Sequence, residues 1–198
     1  MVHREVPLSI EPVLGWRAWH LTRQRDGLRL QGVTEPETWP PQAAIPAGCA
    51  RFDHDGAPLE RCSCGYYAAG SLPSLAGARV FSRGVGVIGA IAMWGKVIQH
   101  TRGARSEFAY PARLRLVCSP CARAGTIIDP VKVVEDLRLV PVCDRHLRSR
   151  LGGSAPATDV EAELLSAYGV ELLPRPHIPL RAARSGLFGR VATLRSRS

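Results

Sequence analysis

All six cysteines of the chain fall into two groups, and each group also holds one histidine. The first is Cys49, His54, Cys62 and Cys64, inside the stretch CARFDHDGAPLERCSCG; the second is Cys118, Cys121, Cys143 and His146, in CSPC and CDRH. Three thiolates and one imidazole make a complete tetrahedral donor set for Zn²⁺. No cysteine is left over, so the partition predicts two zinc ions per chain. Four protein ligands leave no position for water or substrate, which makes such ions structural.

The second set has the more regular spacing. Cys118 and Cys121 form a Cys-x-x-Cys knuckle, a turn that aims two sulfurs at one point; after 21 intervening residues Cys143 and His146 repeat the spacing of three. On the first turn of a helix, positions i and i+3 face the same way. Strand-like GTII and DLRLVPV lie between the pairs, and this order predicts a treble-clef-like finger. In the first set, Cys62 and Cys64 share a face of an extended or turned segment. Gly65 next to them supplies the positive φ such a turn needs. This set ties a long loop to the main domain, so it is expected to hold that domain, and the second set only its own finger.

Other zinc chemistry does not fit. The deaminase pattern needs His-x-Glu followed by Pro-Cys-x-x-Cys, and a metalloprotease helix needs His-Glu-x-x-His; neither is present. His100, Arg105, Glu107 and Tyr110 could form a polar cluster around one hairpin turn. No nucleophile–base pair, Gly-rich phosphate loop or carboxylate pair accompanies them, so catalysis is the less favoured class.

These residues need elements to position them. With 198 residues and 45% hydrophobic content the chain can bury a core, while 19 Gly and 16 Pro imply many turns. The predicted class is α+β: a β-rich antiparallel main domain with a zinc site (1–116), a small zinc finger (117–152), a linker and docked helix (153–173) and a disordered basic tail (174–198). VLGWRAWHLTRQ and LRLQGV read as a hairpin reversing at Arg25–Gly27. Trp16 and Trp19 are expected in its core, the alternative being a base-stacking platform. VGVIGAIAMWGKVIQH and RSEFAYPARLRLVC read as two long strands reversing at Thr101–Ala104. One face of the first carries Val85, Val87, Gly89, Ile91, Met93, Gly95 and Val97. GSAPATD reads as a linker, with Asp159 capping a helix whose apolar stripe is Val160, Leu164, Leu165 and Tyr168, and Gly169 ending it.

With these segments placed, the chain resembles a group of small actinobacterial and phage-associated proteins to which no activity is assigned. The resemblance lies in GWRAW (Gly15–Trp19), in the His54–Ala68 stretch with its Cys-x-Cys-Gly, in MWGKVIQHTRGARSEFAYP (Met93–Pro111) and in AYGV (Ala167–Val170). It implies that His54, Cys62 and Cys64 act together. It does not extend to the second cysteine set.

The formal charge is +9, nearly all from Arg, since Lys96 and Lys132 are the only lysines. Two zinc-bound sets carrying about −1 each would bring it to about +7. MVHREVPLSIEP has no continuous apolar region, so no secretory leader is predicted, and a cytoplasmic location with reduced thiols is expected. The apolar run Val85–Gly95 is too short to span a membrane as a helix. The reading that follows is a zinc-stabilised protein binding DNA or RNA, with phosphate contacts from Arg145, Arg148 and Arg150 of the finger and Arg181 and Arg184 of the tail. The alternative is a zinc-dependent adaptor that engages a protein partner and no nucleic acid.

Overall fold

A computed structural model of the protein describes residues 5–6, 11–34, 37–49, 54, 56–147 and 153–176. The strands are β1 (Glu5–Val6), β2 (Val13–Gln24), β3 (Gly27–Gly32), β4 (Thr38–Trp39), β5 (Tyr66–Ala69), β6 (Val87–His100), β7 (Gly103–Leu116), β8 (Lys132–Glu135), β9 (Leu139–Val142), β10 (Ser154–Pro156) and β11 (Glu171–Leu172). The helices are α1 (Leu72–Gly77), α2 (Ser119–Arg123), α3 (Asp144–Leu147) and α4 (Ala157–Tyr168), with a single 3₁₀ turn at Phe81–Arg83. This is an α+β, strand-rich fold. Among the described residues no helix is long and apolar enough to cross a membrane.

Both expected hairpins form. β2 pairs with β3 antiparallel from Trp19↔Gly32 to Gln24↔Gly27, and β6 pairs with β7 along nearly its whole length. β2 also pairs with β6, β7 with β5, and β5 with β2, so four strands close on one another. Such closure needs backbones to approach closely. A Cβ on Gly89 would stand 2.4 Å from the Arg113 carbonyl oxygen and 3.0 Å from the Trp19 ring.

Closure gives β2 and β6 two buried faces. Trp19, Leu21, Leu30, Val87, Ile91, Met93 and Leu114 share one core with Trp39, Leu164 and Tyr168. Ala18, Val85 and Ile88 pack on the other side with Leu72, Leu75, Phe81 and Val117. Val85 therefore does not share the Val87 face as the alternation suggested, because it precedes the strand. Trp19 is fully buried and stands edge-on to Trp39 at 5.5 Å; Trp16 is only half-buried.

Three local expectations change. GTII lies outside the ladder: Thr126 N–H donates to the Cys121 carbonyl and Cys118 N–H to that of Ile128, so this segment closes the knuckle. The hairpin partner of β9 is instead KVVE. The predicted linker contains β10, which pairs with β8. α4 begins at Ala157 behind Pro156, so Asp159 lies in the first turn and is not the cap. There its carboxylate still favours the helix dipole. Gly169 ends the helix at φ 63°, and Val160, Leu164 and Tyr168 are buried as expected.

The β8–β9 hairpin continues the sheet. Leu21 pairs with Leu139, and Val133 and Leu139 belong to the main core.

Candidate metal centres

All four donors of the first centre lie between β4 and β5 in the chain. Cys49 Sγ and Cys62 Sγ are 3.6 Å apart, and Cys64 Sγ is 3.8 Å from His54 Nε2. The other ring nitrogen, Nδ1, is 3.1 Å from the Gly56 carbonyl oxygen and donates to it. That bond fixes the tautomer that leaves Nε2 as the donor to a metal. Gly65 has φ 111°, as the turn after Cys64 requires; a Cβ there would stand 3.0 Å from Pro58 and 3.2 Å from the Ser106 carbonyl oxygen.

The second centre draws on three elements. Cys118 precedes α2, Cys121 sits within it, Cys143 follows β9, and His146 lies on α3. His146 Nδ1 is 3.4, 3.5 and 3.3 Å from the sulfurs of Cys118, Cys121 and Cys143, and Cys121 Sγ is 3.8 Å from Cys143 Sγ. The i, i+3 spacing is what brings Cys143 and His146 together: His146 and Leu147 N–H groups both donate to the Cys143 carbonyl.

In each set the four donor atoms lie within 4.8 Å of one another. A tetrahedral zinc with Zn–S of about 2.3 Å and Zn–N of about 2.0 Å implies edges of about 3.8 Å between sulfurs and about 3.5 Å between sulfur and nitrogen. Both sets match. All six cysteines are free thiols, and their separations exceed a disulfide's roughly 2.05 Å by well over an ångström. Soft thiolates with an imidazole suit zinc and not the oxygen-seeking Ca²⁺ or Mg²⁺.

The electrostatics of the thiols point the same way. Burial, followed by the hydrogen bonds and charge of Cys118 and Cys143, pushes Cys121 up to about 12. Burial also raises Cys118. For Cys143 burial opposes ionisation, but hydrogen bonds led by the His146 backbone N–H outweigh it and bring the thiol down to about 7. At the first centre Cys64 is raised by burial, while Cys62 is lowered by hydrogen bonds, foremost from the Cys64 backbone, that outweigh burial. Three thiols this close cannot all ionise without a cation among them.

Of the polar cluster expected near the hairpin turn, two members meet. Arg105 Nε donates to His100 Nε2 at 3.1 Å. Glu107 instead accepts from Lys96 N–H, and the Tyr110 hydroxyl donates to the Tyr168 carbonyl at 2.9 Å. Arg105 has a role that its spacing did not reveal. It is 3% exposed, and its guanidinium donates to the carbonyls of Cys62, Cys64 (3.0 Å) and Glu60 (3.3 Å). One buried cation thus holds the Cys-x-Cys turn against the sheet. No local signal sets it apart, since the same strand also carries Glu107, Arg113 and Arg115.

No family model, curated protein or solved structure matches this chain. The two centres therefore rest on their own geometry. Of the five arginines expected at a nucleic-acid interface, Arg145 is exposed on α3; Arg148, Arg150, Arg181 and Arg184 lie outside the described residues.

Proposed function

We propose that the protein binds nucleic acid, that two structural zinc ions hold its fold, and that a cationic surface beside the second centre makes the phosphate contacts. The knuckle, hairpin and α3 then act as a treble-clef-like finger set into the sheet. Each zinc would be held by its four donors with no open position, so its contribution is to folding and not to bond-making.

One observation carries this reading: three exposed arginines lie on elements that surround the second centre, Arg123 on α2, Arg83 on the 3₁₀ turn and Arg138 on the β8–β9 hairpin. Arg83 and Arg138 both act electrostatically on His20, whose Nδ1 lies 3.2 Å from the Gly84 carbonyl oxygen. Arg123, on α2 with Cys121, places its guanidinium 2.7 Å from where a Gly84 Cβ would stand. Among the described residues no acid pairs with these three. Several acids are committed elsewhere: Asp26 to Arg29, Glu37 to Arg17, Asp129 to Arg115 and Arg175, Glu163 to Arg23, and Glu171 to Arg113; Glu135, Asp136 and Asp144 are exposed on the β8–β9 hairpin and α3. Guanidiniums without an ion-pair partner suit phosphate oxygens. Arg145 on α3 extends the surface, and Arg148, Arg150, Arg181 and Arg184 would add to it.

The test is a binding titration on random duplex at several salt concentrations. With about 0.9 counterion released per phosphate, replacing Arg83, Arg123 and Arg138 by Ala should shrink the log–log salt slope by about 2.7. Undetectable binding at low salt, or an unchanged slope, would sink the reading. The adaptor would then be preferred, with Leu137, 99% exposed at the tip of the β8–β9 hairpin, as its first contact.

A further inference from the structure

The geometry points to a second ligand site, a cleft beside the first centre that takes the unpaired bases of a single-stranded nucleic acid. The inference rests on the nucleic-acid reading for its ligand class, but it uses a different surface.

The cleft has a volume of about 970 Å³, at the upper end of the roughly 300–1,000 Å³ of ligand sites. Its lining includes the Glu60–Gly65 turn of the first centre, β5, and the start of β7. Tyr67 lies in it, 46% exposed, and is fixed at both ends. The hydroxyl donates to the Ser63 carbonyl at 2.8 Å, and the Tyr67 carbonyl accepts from Arg17 Nη1 at 2.9 Å. An exposed ring held this way loses little freedom on stacking with a base, and every base offers a π-face. Half-buried Trp16 supplies a second aromatic surface in the same cleft.

The charges suit a strand that enters base-first and keeps its phosphates at the rim. Of the four arginines among the described residues of the lining, Arg17 is paired with Glu37 and Arg105 is committed to the backbone of the Cys-x-Cys turn. Arg61 on the turn and Arg102 on the β6–β7 reversal are exposed, and neither has a side-chain partner among the described residues. They can reach phosphates, while the ring and the apolar wall of Val33, Leu75 and Val80 receive bases. Duplex bases are stacked on each other and cannot use the ring, so the cleft discriminates in favour of single strands.

The experiment titrates the zinc-loaded full chain with a fluorescent oligothymidylate of about 12 nucleotides, with random duplex, and with thymidine monophosphate as competitor. Arg61→Gln with Arg102→Gln changes only exposed side chains and should leave folding intact. It should shrink the single-strand salt slope by about 1.4, at about 0.7 per phosphate, and leave duplex binding unchanged. Tyr67→Leu should weaken single-strand binding roughly 5- to 150-fold, the range of one lost stacking contact, while Tyr67→Phe retains most of it. The Arg83, Arg123 and Arg138 variant separates the two surfaces. If it weakens duplex binding and spares the single strand, the two surfaces are separate and both readings stand; a wild type that binds the strand but no duplex at low salt leaves the cleft standing without the reading above. Single-strand affinity and slope unaffected by the Arg61/Arg102 pair would overturn the cleft. So would thymidine monophosphate binding as tightly as the strand, which would make a free nucleotide the occupant.

Discussion

The two centres offer the same donors, three sulfurs and one imidazole nitrogen, but they are joined to the protein differently. The first takes its donors from one connection between neighbouring strands in the chain, and is tied to the sheet by the Arg105 guanidinium, by a hydrogen bond from Ala47 N–H to the Glu107 carbonyl at 2.7 Å and by the packing of Ala47 against the core. The second gathers donors from a knuckle and from α3 across a hairpin, and its immediate neighbours are core. Val117, Cys118, Ala122 and Val142 are all 0% exposed. One centre staples a loop onto a finished sheet. The other completes the core itself. A shared ligand set thus says nothing about how much of the fold an ion supports; the packing around the ligands decides that.

The comparison is most exposed to loss of each metal. Structural zinc contributes on the order of 10 kcal/mol in small modules, comparable with the whole stability of a domain at about 5–15 kcal/mol. Cys118→Ser should therefore unfold the sheet, because the hairpin it anchors carries Val133 and Leu139 into the main core. Cys62→Ser should release only the turn and leave β2, β6 and β7 protected. Amide hydrogen exchange on both variants decides it. This order reverses the one expected from spacing alone, in which the irregular set held the main domain. Exchange confined to 118–147 in Cys118→Ser would restore that earlier order.

A finer test is whether the first centre depends on its clamp. Arg105→Ala leaves the buried carbonyls of Cys62 and Cys64 without their donor, at about 1.5–3 kcal/mol for a hydrogen bond to a charged group. Cobalt titration should show weakened binding at the first centre and none at the second, and Arg105→Lys should recover part of it. Equal weakening at both would mean that Arg105 supports the fold generally and is not specific to the turn.

Which of these features the sequence disclosed follows from their range. The ligand sets were legible because Cys-x-x-Cys, Cys-x-x-His and Cys-x-Cys place donors through local geometry that spacing alone determines. The two hairpins were legible from alternation and Gly-containing reversals, and the end of α4 from Gly169. What was hidden depends on contacts distant in sequence. Arg105 meets carbonyls more than 40 residues away, and nothing near it in the chain announces them. Ser154–Pro156 looks like a linker because its strand exists only through pairing with β8. Alternation failed at Val85 because that residue precedes β6, and it could not reveal that ring closure buries the Ile88 side of the strand as well, a property of topology.

A smaller effect should connect the docked helix to the first centre. The Tyr168 hydroxyl donates to the Trp39 carbonyl at 2.6 Å and accepts from Leu30 N–H at 2.9 Å, so α4 pins β3 and β4 just before the Cys49 connection begins. Tyr168→Phe removes both bonds within a buried site and should cost about 1–3 kcal/mol. Chemical denaturation reads the loss. If the pinning matters to the first centre, its cobalt affinity falls in step and that of the second does not.

The smallest expected effect is a pH dependence on the side of the second centre. His20 is 6% exposed, and its pKa is lowered, first by burial and then by the charge of Arg138, against the raising influence of the Gly84 carbonyl. In the folded protein it is therefore held neutral, with Nδ1–H donating to that carbonyl. The unfolded chain takes up the proton first as pH falls through its ordinary value of about 6.5. The stability due to neutral His20 is fully present above that pH and drains away below it, toward the depressed folded value. Acid also strips zinc from thiolates, so wild type alone cannot isolate the residue. The readout is the difference in stability between wild type and His20→Gln, which lacks the titrating ring but suffers the same metal loss. That difference should narrow as pH falls below about 6.5 and be constant above it. A difference that stays level across the range would mean that His20 is not held neutral by the fold, and that Arg138 and Arg83 exert less field there than their positions imply.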